Sequence, residues 1–410
     1  MTSTTHAPDG RASWLRLLVS LALSTIGGIG LWSSVVVLPT IQAEFGIDRA
    51  SASLPYTVTT LGFAVGGVLM GRAADRFGIT MPLFLGAIAL GAGFILDAFS
   101  QNYVQFLMVQ ALLVGLLGSS ATFGPLVADV SLWFLKRRGI AIAIVASGNY
   151  LAGTIWPPFL QQAIAAYGWR PTYIAIGLLC VVTMMPLALL LRARPHFDDR
   201  ASPASKPSGG SGLLPKPAYL QPLLVLAGLA CCVAMSMPQV HIVAYCGDLG
   251  YGPARGAEML SLMLGFGVVS RLTSGVIADR IGGVGTLIIG SVLQCLALLF
   301  YIPFDGLASL YIVSAFFGLA QGGIVPSYAL IIRDHFPARE AGSRISLVLT
   351  ATVLGMALGG WMSGKIFDLT GSYQAAFLNG IAFNLVNMAI AFWLLSVRLR
   401  ARPRLDPAAA

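Results

Sequence analysis

Twelve long apolar segments divide this chain, and they limit its possible folds more than any other feature of the sequence. A helix needs about 20 largely apolar residues to cross the hydrocarbon core of a membrane. Segments that meet this requirement lie at residues 14–38, 54–71, 81–99, 104–130, 140–164, 170–192, 219–246, 257–278, 285–303, 307–332, 345–366 and 373–397. Only 10% of the residues are charged, whereas a soluble domain carries about 25%. The sequence therefore predicts an all-α integral membrane protein with twelve transmembrane helices.

Residues 192–218, between the sixth and seventh segments, are rich in Pro, Ser, Gly and charged residues. This composition is typical of a linker, and it predicts two six-helix halves, 1–191 and 219–410, joined by a central loop. Most Lys and Arg residues outside the segments fall on the side of the membrane that holds both chain ends. Because such residues favour the cytoplasm, we expect both termini and the central loop there. The expected location is a plasma membrane, the inner membrane of a bacterium.

A short motif occurs once in each half, directly after the second apolar segment of that half. "GRAADRFG" and "GVIADRIG" share four residues at an offset of 204: Gly71, Asp75, Arg76 and Gly78, then Gly275, Asp279, Arg280 and Gly282. Glycine permits tight bends and close backbone approach, and an aspartate is favoured at the N-terminus of a neighbouring helix. The repetition predicts two halves in the same orientation, related by a pseudo-two-fold axis. Transporters with such repeats bind their substrate between the halves, near the middle of the bilayer.

The motif also predicts a latch that closes the cytoplasmic side. Arg76 can pair with an acid, and Asp129, at the cytoplasmic end of the fourth segment, is the candidate partner. Arg138, just before the fifth segment, is expected to contribute to the same closure. The alternative is a tight loop with solvated charges, and the recurrence of the motif in register counts against it.

Arg271 lies well inside the eighth segment, where an arginine costs about 2.5–3.5 kcal/mol on insertion scales. We therefore expect it to face a water-filled cavity. Its guanidinium can bind a carboxylate through two parallel hydrogen bonds, and the lack of a second deep cation favours a monovalent anion. The alternatives are a structural ion pair and snorkelling towards the cytoplasmic surface, a reach of roughly 10 Å at the helical rise.

Five further polar residues are candidates to assist Arg271 because they can form hydrogen bonds within the apolar segments. They are His241, Asn149, Tyr150, Gln321 and Tyr328. His241 lies nearer the outer side, where it could serve as a gate, a carboxylate partner or a proton carrier. Hydrogen bonding between helices is the alternative role for each of these residues.

Other classes of protein fit the sequence poorly. The four histidines are scattered, the five cysteines lie in or at the ends of apolar segments, and CxxC is absent, so we expect no metal and no cofactor. An enzyme would need convergent catalytic groups, which the apolar segments lack. The net charge of +9 forms no continuous basic face for nucleic acid. The expected partners of this monomer are the lipid bilayer, a small carboxylate, and a coupled proton or counter-anion.

These features resemble the major facilitator superfamily (MFS) over nearly the whole chain. The stretches "WFLKRRGIAIAIVASGNYLAG", "GWRPTYIAIG" and "HIVAYCGDLGYGPARGAEMLSLMLGFGVVSRLTSGVIADRIGG" resemble its branch of monocarboxylate porters and oxalate–formate antiporters. The resemblance implies the MFS fold. It also implies that Arg271 binds the substrate carboxylate, because the arginine of the eighth helix does so in that branch.

Two positions depart from that branch. Gly267 stands where animal members carry an aspartate, and Lys365 lies at the outer end of the eleventh segment, where the oxalate exchanger has a deep lysine. We predict a secondary active transporter of small organic anions, chiefly monocarboxylates, that works by alternating access as a symporter or antiporter. The alternatives are an exporter of drugs or other small molecules with the same fold, and a dicarboxylate or anion exchanger.

Overall fold

The structure, a computed structural model, describes residues 9–135, 137–192, 217–336 and 338–400. The spans of the first half are Arg11–Phe45, Arg49–Phe77, Thr80–Ala98, Tyr103–Trp133, Arg138–Tyr167 and Trp169–Leu190. The helices of the second half are Pro217–Asp248, Pro253–Phe300, Leu307–Gln321 with Ile324–His335, Ala338–Thr370 and Tyr373–Arg400. The described residues contain no strand. The predicted all-α membrane fold is confirmed.

Eleven helices, rather than twelve, are long and apolar enough to cross a membrane in the described part of the chain. The difference arises at Pro253–Phe300, where the eighth and ninth spans follow each other as one helical stretch of 48 residues. Gly282 interrupts it with a φ of 79°, a conformation that strains any residue with a side chain. Gly78, its counterpart in the first half, has a φ of 85°. Residues 253–281 therefore form the eighth span and 283–300 the ninth.

Buried apolar side chains form two clusters, one within the first six spans and one centred on the last six. The second cluster also includes Trp32, Tyr56 and Tyr150 of the first half, because these residues face the interface between the halves. Across that interface the second span packs on the eleventh and the fifth on the eighth. The predicted boundary loop, 192–218, lies almost entirely outside the described residues, so the division at that loop stays a prediction.

The membrane side on which the described chain begins and ends is here named the termini side, and the opposite side the far side. Several spans are broken between these two sides. The first span breaks at Gly28, the fifth at Ser147 and the tenth at Gly322 and Gly323, and the fourth contains a π-helix at Gln110–Gly118. Irregular backbone at membrane depth is tolerated only where it is buried in protein or lines a cavity. The breaks therefore indicate where a polar site can lie.

The break in the tenth span lies directly against Arg271. A Cβ built at Gly322 would lie 2.5 Å from the backbone nitrogen of Arg271 and 2.6 Å from the carbonyl oxygen of Gly267. Ser270 fixes the same contact, because its Oγ donates to the carbonyl of Leu319 at 2.6 Å. The glycine thus lets the tenth span approach the eighth closely enough to set the position of Arg271.

We expect Gly322→Ala to lower the free energy of unfolding by about 1–3 kcal/mol, because overpacking against backbone atoms cannot be relieved by a rotamer change. Gly67→Ala is the matched control, since no atom lies within 4 Å of a Cβ at that position. The measurement is the melting temperature of each purified variant in detergent. Equal melting temperatures for the two variants would show that the approach of the eighth and tenth spans is not tight.

Candidate functional site

Arg271 projects from the eighth span onto the fifth span of the other half. Its Nη1 donates a hydrogen bond to the carbonyl oxygen of Ala146 at 2.9 Å, next to the break at Ser147. Its Nε is buried and has no hydrogen-bond partner. The ion pairs among the described residues involve other arginines, so no described carboxylate neutralises this guanidinium. The site therefore carries one uncompensated positive charge and at least one unused donor.

The aromatic ring of Tyr150 supports the guanidinium. The Cζ of Arg271 lies 4.4 Å from the ring centroid, a cation–π contact between the two halves. The ring occupies the space beside Gly267, where a Cβ would lie 2.7 Å from its Cε1 atom. The space beside Gly267 is therefore filled by an aromatic ring from the fifth span.

Gln321 completes the cluster from the tenth span. It is fully buried, its Oε1 accepts a hydrogen bond from Nε2 of Gln239, and its own Nε2 has no partner. That free Nε2 would lie 3.4 Å from a Cβ built at Gly267, so it adjoins Tyr150. Gln239, on the seventh span, was not among the predicted residues. The structure thus brings three of the candidate residues, Arg271, Tyr150 and Gln321, together and adds Gln239, and their role in binding stays a prediction.

Asn149 adjoins this cluster but faces another way. Its Oδ1 is buried without a partner and would lie 3.4 Å from a Cβ at Gly28, at the break of the first span. Its backbone carbonyl accepts a hydrogen bond from Nε1 of Trp32 at 3.0 Å. Asn149 therefore links the fifth span to the first, with one acceptor still available.

Tyr328 and His241, the other two candidates to assist Arg271, lie apart from the cluster. Tyr328 donates to Oδ1 of Asn387 at 2.9 Å, within the second half. His241 is fully buried, with Nδ1 at 3.0 Å from the hydroxyl of Tyr373 and Nε2 at 2.7 Å from the carbonyl oxygen of Gly360. Both side chains project towards neighbouring helices of the second half. The sequence indicates how deep a residue lies along a span, but not towards which neighbour its side chain projects. They hold helices together.

Four residues close the far side and are here named the far-side clamp: Arg49, Asp248, Asp368 and Tyr373. The carboxylate of Asp368 accepts the backbone N–H groups of Arg49 and Ala50 at 2.9 and 2.8 Å, at the N-terminus of the second span. Arg49 also donates to the Tyr373 hydroxyl at 2.9 Å and to Oδ1 of Asp248 at 3.0 Å. Because Arg49 belongs to the first half and its three partners to the second, these bonds join the halves.

The termini side is open by contrast. Among the described residues, the hydrogen bonds that join the two halves lie on the far side or at mid-depth. Four predicted latch residues, namely Asp75, Arg76, Asp279 and Arg280, are exposed. Arg138 is also exposed and contacts Ser131 of its own half at 3.3 Å. A Cβ at Gly71 or Gly275 would meet no atom within 4 Å, so the close approach predicted there does not occur in this conformation.

Asp129 has a different partner from the one predicted. Both of its carboxylate oxygens accept hydrogen bonds from Arg16 of the first span, at 2.7 and 2.8 Å. Arg16 also donates to the carbonyl of Leu191 at 3.1 Å and stacks on the ring of Trp133. Arg76 lies on the same cavity of about 660 Å³ that Arg16 and Asp129 line. The predicted pair of Arg76 with Asp129 is therefore not formed in this conformation, in which Arg16 engages both carboxylate oxygens, and the latch stays a prediction.

The described part of the chain contains no group of three or more His, Cys, Asp or Glu residues able to hold a metal ion. The site is instead an uncompensated guanidinium, stacked on an aromatic ring and flanked by a buried amide. It lies between two helical halves that are joined on one side and separated on the other.

Comparisons with known proteins agree with this architecture. The agnestins efflux protein AgnL12 of Paecilomyces divaricatus is 24% identical over 93% of this chain and 87% of its own length. Monocarboxylate transporter 13 of Bos taurus is 26% identical over 96% of this chain and 92% of its own. A solved bacterial homologue of the human lysosomal transporter Spinster, inward-facing and unoccupied, has a TM-score of 0.72 at 14% identity and covers 96% of this chain and 98% of that one. The sequence profile of the Major Facilitator Superfamily matches residues 20–311 and 247–410, and the chain belongs to that family.

Proposed function

We propose that this protein is a secondary transporter of small organic anions, chiefly monocarboxylates, and that Arg271 binds the carboxylate. The observation that carries the proposal is the uncompensated guanidinium of Arg271 at the interface of the halves. An arginine at membrane depth without an acid is costly unless a ligand or water supplies the counter-charge. A substrate carboxylate supplies it in the geometry that the guanidinium fork prefers.

The charge of the site favours a monocarboxylate over a dicarboxylate. Arg271 is the one cation of the cluster, and Lys365 is exposed at the far-side end of the eleventh span. The free Nε2 of Gln321 and the free Oδ1 of Asn149 are neutral. The Nε2 of Gln321 can donate to a hydroxyl or carbonyl oxygen of a small acid, and the Oδ1 of Asn149 can accept from a hydroxyl, but neither supplies the positive charge that would favour a second carboxylate.

The closed far side and the open termini side suggest how the transporter works. This conformation has the far-side clamp closed and the termini side open, which is one end state of an alternating-access cycle. In the other end state the clamp is broken, and the two copies of the repeated motif, at Asp75–Arg76 and Asp279–Arg280, close the termini side with the assistance of Arg138. The excess of Lys and Arg assigns the termini side to the cytoplasm, so the described state faces inward.

The names of the relatives leave a second function to compare with the first. One similar protein is named a monocarboxylate transporter and another an efflux protein, at nearly equal identity. Export of a neutral or cationic compound is therefore the second candidate function. It differs from the first in one respect that can be tested, because such a substrate gains nothing from the charge of Arg271.

The test is uptake into proteoliposomes of a panel that contains acetate, lactate, pyruvate and benzoate, the dianions oxalate and succinate, and the cation tetraphenylphosphonium. We expect saturable uptake of at least one monocarboxylate and none of the cation. Repeating the assay with and without an inward proton gradient separates proton symport from anion exchange. Uptake of the cation alone would contradict the proposal and support the second candidate.

A further inference from the structure

His241 belongs to a hydrogen-bond chain whose direction is fixed at both ends. At one end, the guanidinium of Arg49 can only donate, so the Tyr373 oxygen accepts from it. At the other end, the carbonyl of Gly360 can only accept, so the Nε2 of His241 must carry a proton. In a neutral imidazole the Nδ1 is then bare, and it accepts the one proton of the Tyr373 hydroxyl at 3.0 Å.

A second proton on His241 breaks this chain. With both ring nitrogens protonated, the imidazolium and Arg49 would both donate to the oxygen of Tyr373, and the hydroxyl proton would lose its acceptor. Two cations would then converge on one hydroxyl around a ring that is fully buried in the closed clamp. Burying an unpaired charge and leaving a buried donor unsatisfied both cost free energy.

We propose that His241 is the proton-binding site of the far-side clamp, which closes only when this histidine is neutral. When the halves separate, Arg49 leaves with the first half, whereas Tyr373 and Gly360 stay with His241 in the second. The hydroxyl can then accept from a protonated Nδ1 and donate to water. A proton from the far side is thus compatible with the open clamp and incompatible with the closed one.

The charged and titratable groups around His241 come from four elements. They are Tyr245 and Asp248 of the seventh span, Arg49 of the second, Asp368 of the eleventh and Tyr373 of the twelfth. Arg49 keeps its charge at any accessible pH. Histidine is the side chain whose ordinary pKa lies between about pH 5 and 8. Among the groups of this cluster, His241 is therefore the one expected to change its charge in that interval, and the His241→Gln variant assigns the effect to it.

The direction of the pH effect follows from the linkage between proton binding and opening of the clamp. The open clamp can bind the proton and the closed clamp cannot, so acid favours the open state. A histidine exposed to water titrates near pH 6.5, which sets the upper edge of the effect. Below that pH the ratio of closed to open clamp should fall by up to about tenfold for each pH unit. No substrate takes part in this scheme, so the pH dependence of the clamp can be tested independently of the carboxylate proposal.

The test is a distance measurement between spin labels on the full-length protein in nanodiscs, without substrate. Labels at Gln101→Cys and Asp305→Cys lie on exposed far-side positions of opposite halves, and the five native cysteines are buried. Between about pH 8 and pH 5 we expect the long-distance population to grow. A second pair, Leu135→Cys with Asp334→Cys, should show the termini side closing in step, since both positions are exposed there.

His241→Gln is the discriminating variant, because a neutral amide can accept from Tyr373 and donate to Gly360 but cannot gain a proton. We expect its distance distribution to be independent of pH. A wild-type distribution that is the same at both pH values overturns the inference without any variant. It is equally overturned if His241→Gln keeps the pH dependence of the wild type.

Discussion

Arg271→Ala raises the KM for a transported monocarboxylate about 100-fold or removes transport altogether. The substituted side chain can no longer form the charge-assisted hydrogen bonds to a carboxylate, each worth about 1.5–3 kcal/mol, and every 1.4 kcal/mol is tenfold in affinity. Arg271→Lys keeps the charge but loses the planar fork and its stacking on Tyr150. We expect it to be intermediate, about tenfold weaker than the wild type.

Arg255→Gln is the matched control for these variants. Arg255 lies on the same span, but it is exposed and pairs with Glu258 one turn away. Initial rates of uptake into proteoliposomes, measured over a range of substrate concentrations, give KM and the maximal rate for each variant. If Arg271→Ala keeps the KM of Arg255→Gln, the carboxylate does not bind at Arg271.

Asp129→Asn lowers the free energy of unfolding by about 3–5 kcal/mol, the cost of leaving one partner of a buried ion pair uncompensated. The side chains of Arg16 and Asp129 are only 5% and 9% exposed, and the pair fixes the first span to the fourth. Because this contact lies wholly within the first half, the variant should unfold more easily yet retain its substrate affinity once folded.

The double variant Arg16→Met with Asp129→Leu separates the ion pair from the space that it fills. Replacing a buried pair by apolar residues of similar volume is often neutral or stabilising, so we expect the double variant to be more stable than Asp129→Asn. Reversible unfolding of the purified proteins in detergent with added denaturant gives the comparison. If the Asp129→Asn variant were as stable as the Arg255→Gln variant, the ion pair of Arg16 with Asp129 would be screened by water and would contribute little to stability.

The sequence located the spans well because each depends on a long apolar run. The fifth span, for example, was predicted at 140–164 and is observed at Arg138–Tyr167. The connection between the eighth and ninth spans was less clear, since a single glycine makes the turn and helix flanks it on both sides. A hydropathy pattern separates two helices only when a polar stretch lies between them.

The site was partly predictable for the same reason. An arginine within an apolar run is a local signal, and it identified Arg271 directly. The support of Tyr150, the role of Gln239 and the far-side clamp depend on contacts between residues far apart in the chain. Arg49 resembles any basic residue at the start of a span, and only the folded interface places Asp368 at its backbone.

His241 and Asp129 show the same limit in another form. The depth of both residues along their spans was predictable from the sequence, but the helix that each would face was not. His241 faces the eleventh and twelfth spans, and Asp129 faces the first. The partner of a polar residue in a helix bundle depends on how its helix is rotated about its own axis. A membrane span carries apolar residues on all sides, so its sequence pattern does not define that rotation well.

Equilibrium binding tests the central claim most directly, because it requires neither a direction of transport nor a coupled ion. The measurement is the melting temperature of the purified wild type and of Arg271→Ala, each titrated with small mono- and dicarboxylates. A ligand that binds the folded state at 100 times its Kd stabilises it by about 2.7 kcal/mol. We predict that at least one monocarboxylate raises the melting temperature of the wild type and leaves that of Arg271→Ala unchanged. Equal stabilisation of both proteins would contradict the assignment of the carboxylate site to Arg271.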